Sequence, residues 1–160
     1  MKTMPKMSHI IARFQPEQPV LSIRQMTHMD DFLSLYEENL QKVNSYLEQF
    51  DEYLTDVPFT IYYDYLYTDS HRMDIEFCYP ITRLLPSHAE LTARIIPGSP
   101  VIFSMYRGYY EGIASLYGEM TNWIISHNFE PAGYSYEYYI NGFDFPERDQ
   151  LVKVVMPYKN

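Results

Sequence analysis

A chain of 160 residues, 46% of them apolar, suits one domain or two half-domains sharing a core; burial of ~70% of the unfolded surface at that size makes a disulfide or metal unnecessary. The net charge of −9 argues against the basic face that nucleic-acid binding requires, and the lone Cys78 leaves no disulfide framework or paired-cysteine metal motif. No apolar run approaches the ~20 residues of a membrane span, and Met1 to Ser8 carries no apolar stretch of signal-peptide length, so a cytoplasmic protein without cofactor is expected.

His9 to Phe14 and Val20 to Gln25 read as two strands joined across a Pro-x-x-Pro turn. From Met29 to Phe50 the positions Phe32, Tyr36, Leu40, Val43, Leu47 and Phe50 recur at helical spacing. Thr27 or His28 opens that helix, with Asp30 and Asp31 in the first turn, where the helix dipole favours acids. An aromatic strand from Phe59 to Tyr67 follows, then a turn at Asp69-Ser70 and a strand from Asp74 to Tyr79 closing on Pro80. Residues 82–89 form a connector too short for a flexible tether.

Beyond the connector the chain repeats itself. Ala12-Arg13-Phe14-Gln15-Pro16-Glu17-Gln18-Pro19-Val20-Leu21 returns as Ala93-Arg94-Ile95-Ile96-Pro97-Gly98-Ser99-Pro100-Val101-Ile102, matching the pattern A-R-x-x-P-x-x-P-V-(L/I) in register. The second copy predicts strands at Leu91 to Ile96 and Val101 to Tyr106. Its helix runs from Tyr110 to His127, with Ile113, Tyr117, Met120 and Ile124 on one face and Asn128 as the stop. A strand from Tyr134 to Asn141, a turn at Asn141-Gly142 and a strand from Leu151 to Met156 closing on Pro157 complete it. The expected fold is α+β, one domain over 1–160 built of two repeats, about 9–81 and 90–158. Each repeat is a β-α-β-β unit with an extra leading strand, related by a pseudo-two-fold. The sheet is antiparallel, the helices lie on one side, and a ligand pocket is expected at the repeat interface.

Within the second aromatic strand Glu137 is the one acid, and alternation places it on a face with Ser135 and Tyr139. On a solvated face it is an ordinary polar strand residue. On a closed face it is a desolvated carboxylate beside aromatic rings, suited to an organic cation or, with its pKa raised, to general acid–base work. The offset from Pro80 to Pro157, 77 positions, maps Glu137 onto Thr60 and Tyr139 onto Tyr62, so the tyrosine occurs in both halves and the acid in one. Tyr110 and Trp123 lie on or near the apolar face of the second helix, as core residues or as cavity walls. The five histidines form no metal-spaced pair, Asp69-Ser70-His71 reads as a solvated turn, and no nucleophile elbow, phosphate loop or zinc spacing is present.

Several segments resemble the GyrI-like ligand-binding domain. Met105-Tyr106-Arg107-Gly108-Tyr109-Tyr110-Glu111-Gly112-Ile113 is similar to its "HRGPYEGI" segment. Trp123-Ile124, Glu130-Pro131-Ala132-Gly133 and Glu137-Tyr138-Tyr139-Ile140-Asn141 resemble its "W-I…PAG…E-x-Y-L-N" run, and Asp74 to Ile81 its "D-x-E-x-x-x-P-V" strand. Tyr109 stands where that family has proline, Tyr106 where histidine is common, and Lys153 where an acid is frequent. The family serves as the effector domain of AraC- and MerR-type multidrug regulators, and also as freestanding gyrase inhibitors and hydrolases of cyclopropane-bearing genotoxins. The resemblance implies a tandem β-α-β-β fold and a binder of lipophilic, often cationic small molecules. Glu137 would be the counter-charge, with Tyr139, Tyr62, Tyr110 and Trp123 as the aromatic wall. With no room upstream for a helix-turn-helix, a freestanding member is expected. The alternatives are a hydrolase using Glu137 and a module that binds a protein partner.

Overall fold

A computed structural model describes residues 5–63 and 72–160. In chain order the strands are β1 (Lys6–Met7), β2 (Ile11–Gln15), β3 (Gln18–Thr27), β4 (Phe59–Tyr62), β5 (Met73–Pro80), β6 (Thr92–Ile96), β7 (Ser99–Arg107), β8 (Glu130–Pro131), β9 (Ser135–Tyr139) and β10 (Leu151–Lys159). Helix α1 (Phe32–Glu48) lies between β3 and β4, and α2 (Ile113–Ser126) between β7 and β8. Each helix is entered through a 3-10 turn, Met29–Asp31 and Tyr110–Gly112. The fold is α+β and divides into two compact units, Pro16–Gly98 and the residues through Gln15 together with Ser99–Asn160.

The Pro16–Gly98 unit is an antiparallel sheet in the order β4-β5-β3-β6 with α1 packed on β3 and β5. His28 caps the opening turn, its Nδ1 accepting from the Asp30 N–H at 3.1 Å. Phe32, Tyr36, Val43 and Leu47 form the buried stripe that the sequence predicts, but Asn39 rather than Leu40 completes it. The Phe32 ring stacks on Phe77 at 5.4 Å, and the Tyr79 hydroxyl donates to the Tyr36 carbonyl at 3.2 Å. Burying each such side chain is worth roughly 1.5–3 kcal/mol, so the stripe anchors the helix. The aromatic strand predicted from Phe59 to Tyr67 is described only as far as Tyr63; its remainder and the Asp69-Ser70-His71 turn lie outside the described residues.

In the second unit β9, β10 and β7 lie side by side, with β1 and β2 in succession along the other edge of β7 and β8 on the end of β10. α2 buries Ile113, Leu116, Met120 and Ile124. It stops at Asn128, whose φ of 63° is a left-handed conformation that asparagine tolerates, and the Phe129 N–H returns to the Ile124 carbonyl at 3.0 Å.

The Pro-x-x-Pro segments are not hairpin turns. β2 pairs with β7, placing Ala12 opposite Ile102, and β6 pairs with β3, placing Leu21 opposite Ala93. The two decapeptide copies therefore pair with each other head to tail instead of each folding back on itself. A two-residue hairpin needs left-handed backbone, and no residue from Gln15 to Pro19 or from Ile96 to Pro100 adopts it. Proline fixes φ near −65° and the chain runs on extended. Each copy is thus the place where the chain passes from one unit to the other.

Among the described residues no helix is long and apolar enough to cross a membrane.

Candidate functional site

β9 is buried on both faces. Its third residue, Glu137, lies opposite Val154 of β10, and Tyr139 lies opposite Val152. The carboxylate is met by two tyrosines from the α2 segment. The Tyr110 hydroxyl, from the 3-10 turn, donates to Oε1 at 2.9 Å and Oε2 at 3.1 Å. Two helical turns on, the Tyr117 hydroxyl donates to Oε2 and lies 3.0 Å from the Ser135 hydroxyl. Glu137 is 1% exposed while Tyr110 is 37% exposed, so Tyr110 connects a closed carboxylate with solvent.

Burial pushes the Glu137 carboxyl up to about 7, and the hydrogen bonds from Tyr117 and Tyr110 keep it from rising further. Burial, reinforced by the charge of Glu137, drives the Tyr117 hydroxyl well above its ordinary range. At neutral pH the carboxyl is the group of this cluster that titrates. Among the described residues, no lysine, arginine or histidine pairs with it.

The Pro16–Gly98 unit holds a second buried carboxylate, with the opposite electrostatics. Glu76 accepts from Arg94 Nε at 2.8 Å and Nη2 at 2.6 Å, and from the Tyr63 hydroxyl at 2.5 Å. Burial alone would raise its carboxyl; hydrogen bonds from Arg94, Ser22 and Tyr63 outweigh it and hold the group below its usual range. Glu76 therefore has its counter-charge built in, and Glu137 has none among the described residues. The offset that maps Glu137 onto Thr60 maps Glu76 onto Lys153. There Lys153 lies over the rings of Phe103 and Tyr138, at 4.9 and 5.2 Å, and Arg13 over Phe103 at 4.8 Å. The lysine noted as a departure thus makes cation–π contacts where the other unit makes an ion pair.

Of the residues expected from sequence, Glu137 and Tyr110 are bonded directly. Tyr139 is buried two residues along β9, on the same strand face as Glu137. Trp123 stacks on His127 with centroids 3.8 Å apart and tilts against Tyr158 at 6.3 Å. Tyr62 is buried at the end of β4 opposite Ile75, and Thr60 opposite Phe77, the same relative register as Tyr139 with Val152 and Glu137 with Val154. Among the described residues the Thr60 hydroxyl has no hydrogen-bond partner. Sequence reasoning had Tyr117 as a helix-face residue and missed its bond to the carboxylate. Its spacing of seven from Tyr110, two helical turns, was the available signal. A groove of about 530 Å³ in the Pro16–Gly98 unit, lined in part by Lys42, Tyr46, His88 and Glu90, contains none of the expected site residues. Among the described residues no group of three His, Cys, Asp or Glu side chains could hold a metal.

Residues 10–159 match the GyrI-like small molecule binding domain. The EcmrR C-terminal domain shares the fold with a TM-score of 0.84 at 20% identity, over 95% of this chain and 98% of that one. Against the EcmrR chain in its DNA complex the TM-score is 0.85 at 20% identity, over 95% of this chain but only 57% of that one. SAV2435 bound to tetraphenylphosphonium gives 0.60 at 11% identity over 96% and 95% of the chains. A hydrolase encoded by lin2189 from Listeria innocua gives 0.68 at 10% identity over 94% and 91%. Among curated proteins none matches.

Proposed function

The chain belongs to the GyrI-like small molecule binding domain family, and we propose that its ligands are lipophilic organic cations held by the Glu137 carboxylate. The observation that carries this reading is a fully buried carboxylate whose partners among the described residues are tyrosine hydroxyls rather than a cation. A buried charge is costly until it is paired, and a ligand that brings the missing positive charge removes that cost. The rings of Tyr110, Tyr117 and Tyr139 supply apolar surface and cation–π attraction of about 0.5–2 kcal/mol each. Tetraphenylphosphonium, the ligand of the fold relative SAV2435, is a cation of this kind. Calorimetric titration of tetraphenylphosphonium tests the reading. Glu137→Gln is expected to weaken binding by at least about tenfold, the equivalent of ~1.4 kcal/mol for a lost charged partner. The cation requires the ionised carboxyl, which has a midpoint of about 7, so parent affinity should fall about tenfold from pH 8 to pH 6. Equal affinity in parent and variant would sink the proposal.

A second reading is favoured by that same midpoint, since a carboxyl titrating near neutrality can act as a general base. For a strained cyclopropane electrophile, Glu137 would take a proton from water as the water oxygen bonds to a ring carbon. The ring C–C bond breaks and the proton returns to the atom carrying the released electron pair, for a net addition of water. Mass spectrometry of a cyclopropane-bearing alkylator incubated with the parent should then show the water adduct. Undiminished turnover by Glu137→Gln excludes this route.

A further inference from the structure

Tyr110 is placed by more than its bond to Glu137. It sits in the Gly108–Gly112 turn, and the turn is pressed from both sides. Gly108 has φ of +148°, where side chains are disfavoured, and a Cβ there would lie 3.0 Å from both Cα and Cβ of Pro5. A Cβ at Gly112 would lie 2.5 Å from the Tyr106 hydroxyl and 3.7 Å from Pro5 Cγ. The Tyr106 hydroxyl donates to the Tyr109 carbonyl, which also accepts from the Gly112 N–H at 3.0 Å. The Tyr110 N–H is held by Glu147 Oε1 at 3.0 Å.

Pro5 in turn leads directly into an anchored segment. Lys6 and Met7 pair with Arg107 and Tyr106. The Ser8 N–H donates to the Met105 carbonyl at 3.0 Å, its Oγ accepts from the Met105 N–H at 2.8 Å, and its carbonyl accepts from Ser104 Oγ at 2.8 Å. Ser104 is fully buried and lies opposite Val154, which lies opposite Glu137. The segment is therefore fastened to the same cross-sheet row that carries the carboxylate.

We infer that Pro5 is a positioning residue of the Glu137 site: seated on β7 through Ser8, it wedges the Gly108–Gly112 turn against Tyr106 and so aims the Tyr110 hydroxyl at the carboxylate. The coupling is reciprocal. Loosening the segment frees Tyr110, and drawing Tyr110 off Glu137 loosens the segment. A ligand that displaces Tyr110 would therefore be felt at Lys6–Ser8; that consequence rests on the binding role proposed above, whereas the coupling itself does not.

The test is a double-mutant cycle read by carbon-13 NMR of the Glu137 carboxyl across pH, in protein labelled at glutamate. Tyr110→Phe removes a donor to the charged form and should raise the midpoint. Pro5→Gly should raise it by at least half as much, Pro5→Ala by less, because it keeps the Cα and Cβ that bear on Gly108. The double variant should shift no further than Tyr110→Phe alone. Glu111 and Glu147, the acids that act on Tyr106, are followed by their own signals. In the reverse direction, hydrogen exchange of the Ser8 amide should quicken at least about threefold in Tyr110→Phe and stay at the parent rate in Tyr158→Phe. An unmoved midpoint in Pro5→Gly, or a double variant with additive shifts, overturns the inference. Adding tetraphenylphosphonium separates it from the binding role. If the parent does not bind that cation the binding role fails, while the cycle still decides the coupling.

Discussion

Replacing Glu137 with glutamine should flatten the dependence of stability on pH. The native carboxyl titrates at about 7 against an ordinary 4.5, so between those values the folded protein holds a proton that the unfolded chain has released. Stability contributed by the neutral carboxyl is therefore present at low pH and lost as pH rises through the folded midpoint. Integrating the linkage between pH 5 and pH 8 gives a loss of about 2.5 kcal/mol from this group alone, or roughly 5–10 °C in Tm for a chain of this size. The glutamine variant lacks the titration. Whatever it forfeits in hydrogen bonds from Tyr110 and Tyr117 is the same at both pH values and cancels from the comparison. Urea melts of parent and variant at pH 5, 6, 7 and 8 measure it: the variant should gain on the parent by about 2.5 kcal/mol across the series. A stability difference independent of pH would refute the account of Glu137 as a buried, cation-free carboxyl.

Three further outcomes follow from the geometry. Tyr117→Phe removes a donor to the charged carboxyl and leaves the buried Ser135 hydroxyl without its tyrosine, so the Glu137 NMR midpoint should rise and stability fall by about 1–3 kcal/mol; an unchanged midpoint would contradict the bond. Arg94→Gln strands Glu76, whose side chain is 4% exposed against 35% for Arg94, and should cost about 3 kcal/mol, the lower end for a broken buried pair because the arginine is partly solvated. Because the paired Glu76 carboxyl lies below its ordinary 4.5, that penalty should be full at neutral pH and shrink as pH falls below 4.5; a penalty that persisted in acid would point to packing instead. Thr60→Val replaces a buried hydroxyl that has no partner among the described residues with a methyl of the same shape and should stabilise by about 1 kcal/mol, against the loss in melting temperature expected if that hydroxyl were bonded.

Local features of the fold were legible because they are written in short spacings. Phe32, Tyr36, Val43 and Leu47 announce the buried stripe of α1, and Glu137 announces itself as an acid in an aromatic strand. Which strands lie side by side was not legible. Alternation says which side chains turn inward but not which strand adjoins, and the Pro-x-x-Pro copies looked like turns while serving as extended crossings. The arginine that neutralises Glu76 comes from a different strand, and no spacing rule joins β5 to Arg94. Tyr117 was hidden in another way. A tyrosine on a helix face reads as packing, and only the placement of β9 beneath the helix shows its hydroxyl reaching a carboxylate.

The division of the chain also has a bearing on the order of events during synthesis. Pro16–Gly98 is contiguous and complete as soon as Gly98 has left the ribosome, whereas the other unit is assembled from the segments that flank it on either side. β1 and β2 are made before that unit, yet their partner β7 comes only after it. A strand kept waiting invites aggregation if it is apolar on both faces. The sequence of β2, Ile-Ala-Arg-Phe-Gln, carries a charge in its middle, and even in the finished protein Ile11 and Phe14 remain 49% and 67% exposed. What the nascent strand lacks is chiefly backbone hydrogen bonds, and those water can supply until β7 arrives.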